Sequence, residues 1–106
     1  MNSSETHPLV APILQALTQV YDPEFGISIY DLGLIYDVSV NEAATAVIKM
    51  TLTSMYCPAG DVITVGAQRA AESVPGIRRA QVDLVWEPLW TPELLTPHAR
   101  TQLGWK

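Results

Sequence analysis

The chain has one cysteine, Cys57, and this thiol is the side chain with the most distinctive chemistry. It stands directly before Pro58, at the predicted start of a helix, and follows an alternating apolar run. Unpaired N–H groups and the helix dipole favour negative charge at such a position and lower a thiol pKa. A thiolate there is a nucleophile or a metal ligand. Position alone leaves a second interpretation equally open, in which Cys57 is a small apolar residue closing a strand-to-helix turn.

Partners for this thiol are scarce in the sequence. A catalytic thiol needs a base, and the only histidines are His7, near the N-terminus, and His98, in the C-terminal tail. Nothing in their spacing selects a Cys–His pair. Structural zinc needs about four ligands and cluster sites typically about four cysteines. One copy of the chain therefore cannot hold a cluster by thiolates alone, and cluster ligation would require a homodimer, borrowed ligands or a short-lived transfer state.

Acidic and hydroxyl side chains occur near the predicted loops that could surround the thiol. They are Asp22, Glu24, Asp31, Thr51 and Thr53. One interpretation is a polar rim around Cys57 whose carboxylates and hydroxyls orient a ligand. The other is ordinary capping and turn chemistry, since Asp and Thr commonly bond to loop backbone. Residue type alone favours the second.

The first half of the chain predicts a helix and a hairpin. Apolar residues recur at helical spacing from Val10 to Tyr21, with Pro12 in the first turn and Asp22-Pro23 as the stop. Alternating residues predict strands over 34–40 and 45–53, joined by a turn at 41–44.

The second half predicts another helix, a third strand and two short helical turns. The helix begins at Pro58 and ends at Pro75-Gly76; its apolar stripe is Ile63, Ala67, Ala70 and Val74, with Val62 and Gly66 beside it. The third strand directs Ala80, Val82, Leu84 and Trp86 inward. Thr91-Pro92 and Thr96-Pro97 each begin a short turn, the second closing near Gly104. The tryptophans Trp86, Trp90 and Trp105 are expected to cover the core with their N–H groups anchored.

This order of elements predicts the fold class. Helix, strand, strand, helix and strand, then short C-terminal helical turns, indicate an α+β domain whose helices pack on one face of a three-stranded sheet. With 106 residues the chain is expected to form a single domain over 9–106, preceded by a flexible N-terminus over 1–8.

Composition excludes several classes of function. The net charge is −5 and the six Lys and Arg residues are scattered, which argues against a nucleic-acid surface. No apolar run approaches the roughly 20 residues of a membrane span, and the N-terminus does not resemble a secretory signal. A lone cysteine forms no internal disulfide, so a cytoplasmic location is expected.

Several segments form a distinctive set: Asp22-Pro23-Glu24, the run from Ile29 to Val38, Met50 to Thr53 with Cys57-Pro58, and Leu84 to Pro92. Together they closely resemble the family of iron–sulfur cluster assembly factors that includes the SufT and PaaD proteins. The match runs in order from about Ile13 to Trp105, and several motifs that agree in order carry far more weight than any one alone.

The resemblance implies a small α+β domain that matures iron–sulfur proteins as an adaptor or transient carrier, not as an enzyme. It implies Cys57 as the functional thiol and transient metal ligand, in a site lined by Asp22, Glu24, Asp31, Thr51 and Thr53. No stably bound cofactor is expected, only a transient iron–sulfur cluster or iron. The implied partners are iron–sulfur assembly proteins and client apoproteins.

Within the family, PaaD-type members are tied to a phenylacetyl-CoA epoxidase and usually continue into a cysteine-rich C-terminal segment. This sequence has no second cysteine, which favours the SufT-like branch. Three alternatives stay open: a thiol enzyme with Cys57 as nucleophile, assisted by His98 or Asp31; a PaaD-like accessory protein of an aromatic-degradation oxygenase; and an interaction module with a structural cysteine.

Overall fold

The computed structural model describes residues 7–53 and 60–104. In chain order the elements are α1 (Val10–Leu17), β1 (Tyr21–Asp22), β2 (Ile27–Ser28), β3 (Ile35–Val40), β4 (Thr45–Met50), α2 (Gly60–Glu72), β5 (Arg79–Leu84), a 3-10 helix (Pro92–Leu94) and α3 (Pro97–Leu103). The predicted α+β class is confirmed. The small β1–β2 ladder is an addition that the sequence patterns did not predict.

The main sheet has the strand order β3-β4-β5. The β3–β4 pair is the predicted antiparallel hairpin, with Val38 opposite Ile48. The β4–β5 pair is parallel, with Ala46 opposite Ala80. Parallel neighbours need a long crossover, and α2 provides it. α1 contacts α2 and β3, and α2 also contacts β5, so these two helices pack together against the sheet.

The core lies between these helices and the inner face of the sheet. In β4, Ala46, Ile48 and Met50 are fully buried whereas Lys49 is exposed, which confirms the predicted faces of this strand. Ile13 and Ile63 bring buried side chains from α1 and α2. Each fully buried aliphatic side chain of this kind contributes about 1.5–3 kcal/mol of transfer free energy.

The helical pattern of the first segment overstates the length of its helix. α1 ends at Leu17, not at Asp22-Pro23, and the Thr18 hydroxyl donates to the Gln15 carbonyl at 2.6 Å just beyond its end. Tyr21 belongs to β1 and its side chain is 53% exposed. Strand pairing with β2 therefore overrides the local periodicity.

Smaller corrections concern the other elements. β4 ends at Met50 instead of Thr53. In α2 the buried face also contains Ala71, which was not predicted, whereas the predicted Ala70 is partly buried and packs against the core. Leu84 is exposed because it is the last residue of an edge strand.

The chain after β5 returns across the loop that precedes β3. The indole Nε1 of Trp90 donates to the Leu32 carbonyl at 2.6 Å, which confirms its predicted anchoring. The Thr96 hydroxyl accepts from the Ala99 N–H and caps α3, and Gly104 ends it with a left-handed φ of 74°. Trp105 lies outside the described residues.

Candidate functional site

The loop between β2 and β3 is shaped by Gly33. Its φ is +76°, a conformation that strains any residue with a Cβ. A Cβ built on Gly33 would also collide with the Leu94 carbonyl oxygen and lie 2.7 Å from its carbonyl carbon. The 3-10 helix therefore packs directly on the backbone of this loop, and only glycine permits that approach.

Asp31 lies in the same loop and is bonded to the C-terminal segment. Its Oδ1 accepts from the Thr96 hydroxyl at 2.9 Å, and its carbonyl accepts from the Thr96 N–H, also at 2.9 Å. Its Oδ2 accepts from the Ser28 hydroxyl at 3.1 Å, and its own N–H donates to that hydroxyl oxygen. Both carboxylate oxygens are thus engaged: Oδ2 in a local bond to Ser28, and Oδ1 in a bond to Thr96, 65 positions away. A further role of Asp31 in a ligand site stays a prediction.

Asp22 occupies a very different environment. Its side chain is 0% exposed. Its Oδ1 accepts from the Glu24 N–H at 2.8 Å, and its carbonyl accepts from the N–H groups of Phe25 and Gly26, which builds the β1–β2 turn. Its Oδ2 has no hydrogen-bond partner in the described part of the chain. A buried carboxylate oxygen without a donor is destabilising. The turn uses only Oδ1, so folding alone gives no reason for a second, unpaired carboxylate oxygen at this position.

The predicted hydroxyls are placed unequally. Thr51 is 0% exposed; its N–H donates to the Leu34 carbonyl at 2.9 Å, and its hydroxyl reaches the Leu52 carbonyl only at 3.5 Å. Thr53 is partly exposed. Leu52 is buried like Thr51, so strand alternation is lost after Met50 and the two threonines do not continue one face of β4.

Cys57 lies outside the described residues, as does Pro58, so the predicted position of the thiol at a helix start stays a prediction. The residues that flank this segment are described. A Cβ on Gly60 would lie 3.1 Å from Leu52 Cδ1, so Leu52 and the first residue of α2 pack closely. Within 7–53 and 60–104, no group of three or more His, Cys, Asp or Glu side chains is arranged to hold a metal ion.

The two aspartates of the predicted site have separate surroundings. In the β1–β2 ladder, Tyr21 stands opposite Ser28 and Asp22 opposite Ile27. Side chains alternate along a strand, so Ser28, which binds Asp31, and Asp22 project to opposite sides of the ladder. Sequence reasoning did not identify Ser28 or the second role of Thr96. The Thr96-Pro97 pair signalled a helix cap, but its bond to Asp31 spans 65 positions.

Comparison with known proteins places the chain in a family of iron–sulfur cluster assembly proteins. The family model described as "Iron-sulfur cluster assembly protein" matches residues 11–84. The chain belongs to this family, as its motifs predicted. A solved "Domain of Unknown Function DUF59 from Bacillus anthracis" superposes with a TM-score of 0.87 at 35% identity, covering 92% of this chain and 93% of that one.

Characterised relatives carry matching descriptions. The "Fe-S protein maturation auxiliary factor YitW" of Bacillus subtilis is 41% identical over 92 residues, 87% of this chain and 90% of the relative. "Fe-S protein maturation auxiliary factor SufT" of Staphylococcus aureus is 40% identical over 85 residues, 80% of this chain and 97% of the relative. Both are similar to this chain over nearly their whole length.

A PaaD-type relative is also similar. This Escherichia coli protein, described as one component of a "Putative 1,2-phenylacetyl-CoA epoxidase", is 37% identical over 97 residues, 91% of this chain but 58% of the relative. The resemblance to both branches is therefore confirmed. No helix in the described part of the chain is long and apolar enough to cross a membrane.

Proposed function

We propose that the chain is a non-enzymatic maturation factor that presents Cys57 to iron, to an iron–sulfur cluster or to a client protein. Membership of the assembly family and the similarity to maturation auxiliary factors support this role. The adaptor and the transient carrier are two forms of it, and they differ in whether the cluster is held on the thiol during transfer.

The observation that carries the proposal is the unpaired Oδ2 of Asp22. This oxygen is fully buried and belongs to the Asp22-Pro23-Glu24 motif by which the family was recognised. Buried polar atoms without partners are rare, and where they persist they often serve a functional site. We assign the oxygen to the site that Cys57 completes, where it accepts a hydrogen bond from the cargo or binds its iron.

The cargo chemistry follows from the ligands available. Thiolates are the usual ligands of iron–sulfur clusters, whereas a single carboxylate binds iron as a hard donor. One thiol and one carboxylate leave most of an iron coordination sphere open. Cargo would then be held weakly and shared with an assembly protein, a client apoprotein or a second copy of this chain, with no cofactor retained.

The thiol-enzyme alternative is weakened by the placement of its bases. Asp31 already uses both carboxylate oxygens on Ser28 and Thr96. His7 accepts from the Leu9 N–H through Nδ1 near the start of α1. His98 lies in α3 with its side chain exposed. A general base must reach the thiol within hydrogen-bond distance, and each of these groups has a structural task or faces solvent.

The test replaces Cys57 by Ser and measures iron–sulfur enzyme activities under iron limitation in cells that depend on this chain. We expect a loss of those activities with an unchanged level of the chain. Ser73→Ala is the matched control, because Ser73 is exposed just after α2 and its hydroxyl donates to the local Ala70 carbonyl. Full activity of Cys57→Ser under these conditions would contradict the proposal.

Thiol labelling and cluster reconstitution distinguish the adaptor, the transient carrier and the thiol enzyme. Iodoacetamide reaction across pH reports whether the thiol ionises readily. Stable adducts with small acyl substrates would favour the enzyme. Anaerobic reconstitution with iron and sulfide, followed by absorption spectroscopy and mass measurement, distinguishes a coloured carrier from a colourless adaptor.

A further inference from the structure

A groove of about 600 Å³ lies between the sheet and the C-terminal segment. Its lining includes Lys49, whose neighbours Ile48 and Met50 point to the helices. Because side chains alternate along β4, Lys49 points the other way, and the groove opens on the face that α1 and α2 leave uncovered. We call it the open-face groove. Among the described residues, none that was predicted to line the thiol site borders this groove.

The walls of the open-face groove are apolar and fixed in position. Ile35, Val85, Pro88 and Leu94 contribute apolar surface. The Tyr36 hydroxyl donates to the Pro88 carbonyl at 2.7 Å, and Leu94 is seated on Gly33. Such bonds hold the C-terminal wall against the sheet, so a partner would meet a preformed surface and lose little free energy in ordering it.

Two opposite charges border the same groove. Lys49 and Glu87 both line it, and both side chains are exposed. No ion pair joins them within the described chain. Lys49 stands opposite Asp37 in the β3–β4 ladder, so the Asp37 carboxylate projects from the same face of the sheet as Lys49.

Apolar side chains also project beside the hollow. Leu89 follows Pro88 in the chain and is 64% exposed, and Leu94 is 39% exposed on the groove wall itself. One surface thus combines an apolar hollow, apolar projections, a cation and an anion. An isologous contact is self-complementary, and a surface that carries both charges and an apolar hollow can pair each feature with its complement on an identical surface.

We infer that the open-face groove is the interface between two copies of this chain related by a twofold axis. Lys49 of each copy then faces Glu87 of the other, and Leu89 enters the opposite hollow. The functional value of this dimer rests on the proposed function, because the second copy would bring a second Cys57 thiol to the cargo. A client peptide is the competing occupant of the groove.

The experiment measures self-association of the full chain by sedimentation velocity and light scattering across a concentration series. Lys49→Glu and Glu87→Lys are examined singly and together. Each single reversal places like charges at two symmetric contacts and should weaken the dimer about tenfold, which is about 1.4 kcal/mol. The double variant restores opposite charges and should recover wild-type association. Leu89→Ser should weaken association by a similar factor without affecting folding.

Arg69→Glu is the matched control, because it reverses an exposed charge on α2, away from this face, and should not change association. Circular dichroism and thermal unfolding confirm that each variant is folded.

A wild-type chain that stays monomeric to high concentration would overturn the inference, as would a dimer that both single reversals leave unchanged. A groove that binds client peptide in a monomeric chain also overturns it. Cys57→Ser should leave the dimer intact. If the protein is monomeric and Cys57→Ser abolishes maturation, the proposed interface is wrong and the proposed function stands. If the protein is a dimer and Cys57→Ser matures clients normally, the interface stands and the proposed function is wrong.

Discussion

Replacing Asp22 by Asn separates the folding role of this side chain from its proposed role in the site. Asn keeps the oxygen that accepts from the Glu24 N–H at 2.8 Å, so the β1–β2 turn should survive. It replaces the unpaired Oδ2 by a neutral amide nitrogen. A buried unsatisfied polar group costs about 1–3 kcal/mol, and a charged one costs more. Removing the charge should therefore raise the free energy of unfolding by about 1 kcal/mol.

A change of this size is measurable in a chain of 106 residues. A gain of about 1 kcal/mol corresponds to a rise in Tm of about 4–8 °C for a domain of up to roughly 100 residues. Urea unfolding should show a higher midpoint at an unchanged slope. Asp22→Ala is the companion variant. It also removes the charge, but it loses the turn bond, worth about 0.5–1.5 kcal/mol, and should be less stable than Asp22→Asn.

The same variants are then assayed for iron–sulfur enzyme maturation. Asp22→Asn should be more stable than the wild type and as defective as Cys57→Ser. A gain in stability together with a loss of maturation is the informative result. If Asp22 had a purely structural role, a variant that is more stable than the wild type would not lose maturation activity. An Asp22→Asn protein that unfolds more easily and matures clients normally would refute the reasoning about the unpaired oxygen.

Three further predictions concern the C-terminal segment and the loop beneath it. Gly33→Ala should lower the free energy of unfolding by about 3 kcal/mol or more, combining about 1–2 kcal/mol for the left-handed backbone with the collision against the 3-10 helix. Gly26 has a φ of +68° and nothing within 4 Å of a built Cβ, so Gly26→Ala should lose only the backbone contribution. Equal losses for the two variants in urea unfolding would exclude the close approach at Gly33. Burial raises the pKa of Tyr36 above 10.0, so the neutral phenol stabilises the fold below that pH and the contribution disappears as the pH rises through the folded value. Tyr36→Phe should abolish this alkaline loss in pH-dependent unfolding, at a cost near neutrality of about 0.5–1.5 kcal/mol for the lost hydrogen bond; an unchanged alkaline limb would disprove the assignment. Asp31→Asn and Thr96→Val should be coupled by about 0.5–3 kcal/mol in a double-mutant cycle, and strictly additive effects would show that their bond contributes nothing.

The sequence predicted most of the architecture because the strongest periodicities belong to well-buried elements. The alternation of Ala46, Ile48 and Met50 identified β4 and its inner face. The Thr96-Pro97 cap and the closing Gly104 identified α3. Where the prediction was wrong, tertiary pairing had overridden a local pattern. Tyr21 fits a helical stripe yet enters a strand, because β2 offers its backbone a partner.

The sequence predicted which residues belong to the candidate site better than it predicted how they are arranged. Motifs supplied Asp22 and Asp31, but no local pattern distinguishes a carboxylate with both oxygens bonded from one with a buried unpaired oxygen. That difference depends on which distant groups meet each side chain. Thr96 lies 65 positions from Asp31, and such pairings are set by the whole fold.

The contacts between the tail and the loop before β3 also bear on where this protein can be cut. The family match stops at residue 84, and a shortened protein ending there would appear complete by that criterion. It would lack the indole that binds the Leu32 carbonyl, the hydroxyl that binds Asp31 and the backbone that covers Gly33. Chimeras that exchange tails between relatives should therefore exchange the loop before β3 as well, since each piece supplies groups that the other one binds.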